Sequence, residues 1–136
     1  ERVYAAVAPA FVGQFGPKMT PGKLRAAMKR LGFADIIEVA IGADLCAAQE
    51  AEDFVEEVPE KLPFMATSCC PAWSMMAKKL FPEQANCISM ALTPMTLTAR
   101  LVKHHQPGAK VAFIGRARQR SSKQCVRMYE ARSISC

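Results

Sequence analysis

The sequence lacks any apolar run near the roughly 18 residues that a membrane-spanning helix needs, so no membrane association is expected. Its first residues, Glu1-Arg2-Val3-Tyr4, carry no basic-then-apolar leader, so export is not expected either. An initiating Met is also missing, and residue 3 already reads as strand. The chain is therefore expected to begin inside a domain. No CxxC pair occurs, which disfavours a zinc finger or ribbon. Without an export signal, the six cysteines are expected to be reduced thiols in a cytoplasmic protein, not a disulfide framework. Aromatic residues are scarce at 7%, and no internal repeat is visible.

What remains is an ordinary globular balance: 136 residues, 51% hydrophobic and 22% charged. That length suits one compact domain or part of a larger one, and that composition excludes intrinsic disorder of the whole chain. The net charge of +6 is unevenly placed. Arg116, Arg118, Arg120, Lys123, Arg127 and Arg132 face only Glu130, while the remaining 115 residues are nearly neutral. A solvated, disordered run is the plain reading of such a tail. Tyr129 alone interleaves with the arginines, so a base-stacking platform and a nucleic-acid partner are unsupported.

Along the chain, strands and helices alternate. Arg2 to Ala8 reads as a buried strand bounded by Pro9. Thr20-Pro21 starts a helix with Leu24, Ala27, Met28 and Leu31 on one face, and Gly32 stops it. Phe33 to Ile41 reads as a second strand. A helix after Asp44 has Leu45, Ala48, Ala51, Val55 and Val58 three or four apart. Phe64 to Thr67 is a third short strand; Pro71 opens a helix to Leu80, and Thr93-Pro94 opens another to Lys103. Pro107-Gly108 turns the chain into a fourth strand, Lys110 to Gly115. Strands apolar throughout and alternating with helices predict an α/β fold, a mostly parallel four-stranded sheet flanked by helices.

The chemistry gathers at Thr67-Ser68-Cys69-Cys70-Pro71-Ala72-Trp73, at the carboxyl end of one strand and the start of a helix. Ligands bind at that edge of open α/β sheets. A helix N-terminus offers free N–H groups that favour a thiolate or an anionic cluster. Two adjacent thiols could there ligate a metal and carry a proton; equally, both could be small hydrophobes beside a packed Trp. Position alone leaves both readings open. Cys46 and Cys87 fit no motif and read as core, as do Met75 and Met76. His104 and His105 read as a solvated helix end.

The string TSCCPAW closely resembles the first signature of the iron-only ([FeFe]) hydrogenases, in their hydrogen-activating H-cluster domain. Ala8-Pro9-Ala10, Leu31-Gly32-Phe33, Gly42-Ala43-Asp44 and Thr93-Pro94-Met95 resemble further family motifs in the same order, and the likeness runs from about Val3 to Gly115. The resemblance implies a [4Fe–4S] cubane bridged to a two-iron centre, together the H-cluster. It implies Cys70 as a cubane ligand and Cys69 as the cysteine passing protons. Ser89 would be a proton-path serine, and Ala8, Pro9, Pro94 and Met95 would line the two-iron pocket. A soft thiolate suits iron, and an unligated thiol can relay a proton. The resemblance also implies a ferredoxin-like electron carrier and maturation proteins as partners.

The departure is as informative as the match. Phe113-Ile114-Gly115 leads towards a second signature, G-P-C-x-x-K-K-x-E, but Arg116-Ala117 stand where Pro-Cys belongs. A codon choice consistent with every written residue, read one base earlier after Gly115, gives P-C-A-A-K-K-L-E and restores that signature. A frameshift at Gly115–Arg116 is therefore expected, dividing a partial H-cluster domain at 1–115 from a basic, disordered tail at 116–136. One cubane ligand of four remains, so the chain as written is expected to hold no cluster and to be inactive. Two other readings compete: a hydrogenase-like non-enzymatic protein for sensing or iron–sulfur assembly, and a basic-tailed nucleic-acid binder.

Overall fold

A computed structural model describes residues 2–115. The expected disordered tail at 116–136 lies outside the described residues. The described chain divides into two compact units, residues up to 40 with 98 onward, and residues 41–97.

In the first unit, β1 (Val3–Val7) is the centre of a three-stranded parallel sheet in the order β2-β1-β3. β2 is Asp35–Glu38 and β3 is Lys110–Ile114. Tyr4 stands opposite Asp35 and Val7 opposite Glu38; on the other side Val3 faces Lys110 and Val7 faces Ile114. Being paired on both sides buries Ala5, Ala6 and Val7 almost completely, as an all-apolar central parallel strand requires. The Ala8 amide extends the ladder to the Ile114 carbonyl (2.8 Å), and Pro9 then ends it in a 3-10 turn, Pro9–Phe11.

The crossover from β1 to β2 carries α1 (Pro21–Arg30). Thr20, in extended conformation, caps it by accepting from the Lys23 amide (3.3 Å), and Pro21 occupies the first turn. Gly32, at φ +99°, takes the left-handed turn that ends the helix. Leu24 is buried with Ala5 and Val7, and Met28, Phe33, Ile36 and Ile114 pack around them. Leu31, expected on the same face, is the C-cap residue and is 74% exposed. Arg25 clamps Asp35 with two guanidinium hydrogen bonds, tying α1 to the first residue of β2.

Two expectations need correction. The sheet has three strands among the described residues, not four. Phe64 to Thr67 contributes only an isolated parallel bridge, Ala66 to Ile88, inside the second unit. The second strand also stops at Glu38, and helix α2 (Val39–Glu57) begins within the run Phe33 to Ile41. Among the described residues the β1–β2 register ends at Val7 and Glu38, and a short apolar run is compatible with helix as well as strand. Helices α3 (Pro71–Leu80) and α4 (Pro94–His105) start where Pro71 and Pro94 predict. His104 and His105 close α4, exposed, with their rings edge to face.

Candidate functional site

Cys69 and Cys70 are both exposed. Cys70 is the N-cap residue of α3; its carbonyl accepts from the Ser74 amide (3.0 Å) and the Ser74 hydroxyl (3.2 Å), while its thiol makes no capping bond. Pro71 fixes the first turn, and Ala77 is the buried residue of the helix. The Trp73 indole N–H donates back to the Thr67 carbonyl (3.0 Å), closing the loop that carries both thiols. Trp73 is 39% exposed and Cys69 and Cys70 are not covered, so the reading of two buried hydrophobes beside a packed Trp does not describe this loop.

The loop is held from two directions. The Ser68 amide donates to Glu50 Oε1 of α2 (3.4 Å), and the Ser68 hydroxyl donates to the Ala91 carbonyl (3.4 Å). The Ala91 amide in turn donates to Ser89 Oγ (3.1 Å), so Ser68 and Ser89 share a neighbour. Further back, the Ala66 amide bonds the Cys87 carbonyl and the Ser89 amide bonds the Ala66 carbonyl, both at 2.8 Å.

Glu50 was not visible as a site residue from sequence spacing. The apolar series on α2 drew attention to Leu45 and Val55, yet Leu45 is exposed and Val55 is 80% exposed. The less exposed face instead runs Cys46, Glu50, Asp53, Glu57, spaced four, three and four apart. A thiol and three carboxylates at helical period, among alanines, were the available signal. Cys46 is 3% exposed. Burial, then the Glu50 carboxylate, then the charge of Cys69 push its thiol above the ordinary range. Glu50 and Cys69 both act on the buried Cys46 thiol.

Asp53 and Glu57 line a cavity of about 360 Å³ together with Lys61, Met65 and Ser89. Ser89 is buried, and Asp53 also accepts from the Gln49 side-chain amide (3.0 Å). Cys87 is buried and lines the same cavity. Pro94 and Met95, half-buried, open α4, where Thr93 Oγ1 accepts from the Thr96 amide (3.4 Å). In the first unit, Ala8 lines a cavity of about 420 Å³ at the carboxyl ends of β1 and β3, with Phe11, Phe15, Ile114 and Gly115; Pro9 is exposed in the 3-10 turn. A side chain on Gly115 would stand 3.3 Å from the Ala8 Cβ and 2.7 Å from the Phe113 ring, so it would displace that ring.

Residues 1–116 match the family described as iron only hydrogenase large subunit, C-terminal domain. The chain belongs to this hydrogenase family. It is 35% identical over 106 residues to iron hydrogenase 1 of Clostridium pasteurianum, covering 77% of this chain and 18% of that protein. A solved [FeFe]-hydrogenase, studied for oxygen inactivation of its H cluster 2Fe subcluster, superposes with a TM-score of 0.60 at 30% identity. That likeness covers 76% of this chain and 29% of the other. The cytosolic Fe-S cluster assembly factor NAR1 of Candida dubliniensis is 30% identical over 77 residues, 57% of this chain and 13% of that protein. The chain thus spans about a fifth of the length of the iron hydrogenase.

The similar [FeFe]-hydrogenase carries an H cluster. Cys70 offers one soft sulfur donor at a helix start, suited to iron. Among the described residues no group of three or more His, Cys, Asp or Glu is arranged to hold a metal. The described donor set fits one corner of a cubane and not a whole cluster. No described helix is long and apolar enough to cross a membrane.

Proposed function

We propose that this chain is the first part of an iron-only hydrogenase catalytic domain and that, as written, it carries no working cluster. The intact domain would catalyse 2H⁺ + 2e⁻ ⇌ H₂ with a ferredoxin-like carrier supplying electrons and maturation proteins loading the two-iron centre. The observation that carries this reading is the loop TSCCPAW at the start of α3, with Glu50 bonded to the amide immediately before Cys69.

In this reading the two thiols divide the work. Cys70 supplies a ligand, and Cys69 stays unligated and moves a proton at its Sγ. Glu50 is bonded to the amide just before it, and Asp53, on the same half-buried face of α2, lines a cavity together with Ser89. A thiol, a carboxylate and a hydroxyl are suited to passing protons over hydrogen-bond distances. The missing ligands follow from a frameshift: the family match runs to residue 116, beside the point where the G-P-C-x-x-K-K-x-E pattern is lost.

A hydrogenase-like assembly protein is the second reading, favoured by the likeness to NAR1. Anaerobic reconstitution with iron and sulfide, read by electron paramagnetic resonance and iron content, separates the two. The frameshift reading expects no stable cubane and no H₂ evolution even with the maturation machinery present. One cubane per chain without a two-iron centre would overturn it in favour of the assembly protein.

A further inference from the structure

The outward faces of α1 and α2 carry opposite charge. Among the described residues, the first unit holds nine basic and two acidic side chains, and the second holds three basic and eight acidic. Six of those acids are on α2, which has no basic residue. The less exposed side of α2 is the series Cys46, Glu50, Asp53, Glu57. On the opposite side Ile41, Ala48 and Val55, seven residues apart, form an exposed apolar seam. Asp44, Leu45, Glu52 and Glu56 flank that seam and are exposed too. α1 is its complement. Leu24 and Met28 turn into the core, while the other side exposes the small Gly22 and Ala26, with Lys23 and Arg30 along one edge and Lys29 along the other. From this complementarity we infer that the chain self-associates head to tail, α1 of one copy seating on the outward face of α2 of another.

A second α2 is a poor occupant of this face, because six carboxylates would meet six with no cation between them. α1 instead brings cations to the acids, and Gly22 and Ala26 let its backbone come close to the apolar seam. The ten residues of α1 span about 15 Å, and Ala48 to Val55 span about 10 Å along α2. One α1 therefore covers the half of the seam beside Glu52 and Glu56. A single exposed ion pair contributes only about 0–1 kcal/mol, so the contact needs several charges together with the buried seam. Its charge content makes it sensitive to salt. The two faces differ, so the contact is heterologous. The inference does not rest on the proposed function.

The test is sedimentation velocity on the full chain as written, under reducing conditions and over a range of protein concentration. At about 20 mM salt the chain should associate as its concentration rises, and at about 500 mM salt the association constant should fall about tenfold or more. Lys23→Glu with Arg30→Glu, or Glu52→Lys with Glu56→Lys, should each weaken association about tenfold. All four positions are exposed, and circular dichroism checks that each variant is folded. An equimolar mixture of the two charge-reversed chains should associate again, because each basic face then meets an acidic one. Carbodiimide crosslinking of isotope-labelled with unlabelled parent chains reads the contact without any substitution. Crosslinks of mixed label should join Lys23 or Lys29 to Glu52 or Glu56. A monomer at low salt, a mixture of reversed chains that stays monomeric, or crosslinks confined to single chains would overturn the inference. So would loss of association on reversing α2 but not α1, the result expected if the basic run after Gly115 is what the α2 face takes.

Discussion

The Ser68 amide donates to Glu50 Oε1 across 3.4 Å, and this bond registers α2 against the loop that carries Cys69 and Cys70. It places a carboxylate beside the thiol assigned to proton movement, on a helix face that continues through Asp53 to a cavity lined by Ser89.

Glu50→Gln separates the two tasks of this carboxylate. The amide oxygen can still accept from Ser68, but the side chain no longer carries a proton. In a frame-corrected, full-length enzyme the variant should assemble its cluster normally and lose turnover by about 10²-fold or more. Unchanged H₂ evolution in Glu50→Gln would remove Glu50 from the route.

Cys69 and Cys70 should respond differently to serine. In the same frame-corrected enzyme Cys69→Ser should leave cubane content near normal while nearly abolishing turnover, because a hydroxyl is a far poorer acid than a thiol. Cys70→Ser should lower cubane content itself, read by electron paramagnetic resonance. Equal cluster content and equal activity loss in both variants would contradict the division of labour.

The first unit should be sensitive at α1. Leu24→Ala removes a buried side chain from the cluster around Ala5 and Val7 and should cost about 2–5 kcal/mol in denaturant unfolding. Thr20→Ala deletes the cap on the Lys23 amide and should cost about 1 kcal/mol. Equal small effects from both would mean that Leu24 is not a core residue.

Asp35 gives a pH signature. The Arg25 guanidinium first, then the Ile36 amide and Lys29, hold its carboxyl well below the usual carboxylate range, outweighing a small opposing effect of burial. A lowered folded pKa stabilises the fold above the unfolded value, about 3.9, and that contribution fades as pH falls further. The Tm difference between the parent chain and Asp35→Asn should therefore be largest above about pH 4 and shrink towards pH 2. A difference constant across that range would show that the Arg25–Asp35 pair contributes nothing through ionisation.

Local signals were legible in the sequence where one residue decides the conformation. Thr20-Pro21, Gly32, Pro71 and Pro94 mark boundaries that the fold keeps, because capping and the proline ring act within a single turn. The central strand was legible because Val3 to Val7 is apolar on both faces. Phe64 to Thr67 misled because strand composition cannot create a partner: among the described residues Ala66 bridges only to Ile88. Val39 to Ile41 misled because apolar residues in a row carry no period. The loop TSCCPAW announced the thiols, but the helix behind it did not announce Glu50. Apolar spacing pointed to Leu45 and Val55, while the covered face carries the series Cys46, Glu50, Asp53, Glu57, one or two positions on.

The central claim, that a hydrogenase domain loses its frame and its remaining ligands after Gly115, is tested most directly by the encoding DNA across that point. The account predicts CGT at Arg116, CAA at Gln119 and AGA at Arg120, with the alternative frame reading on through P-C-A-A-K-K-L-E. Other codons at those three positions would contradict it.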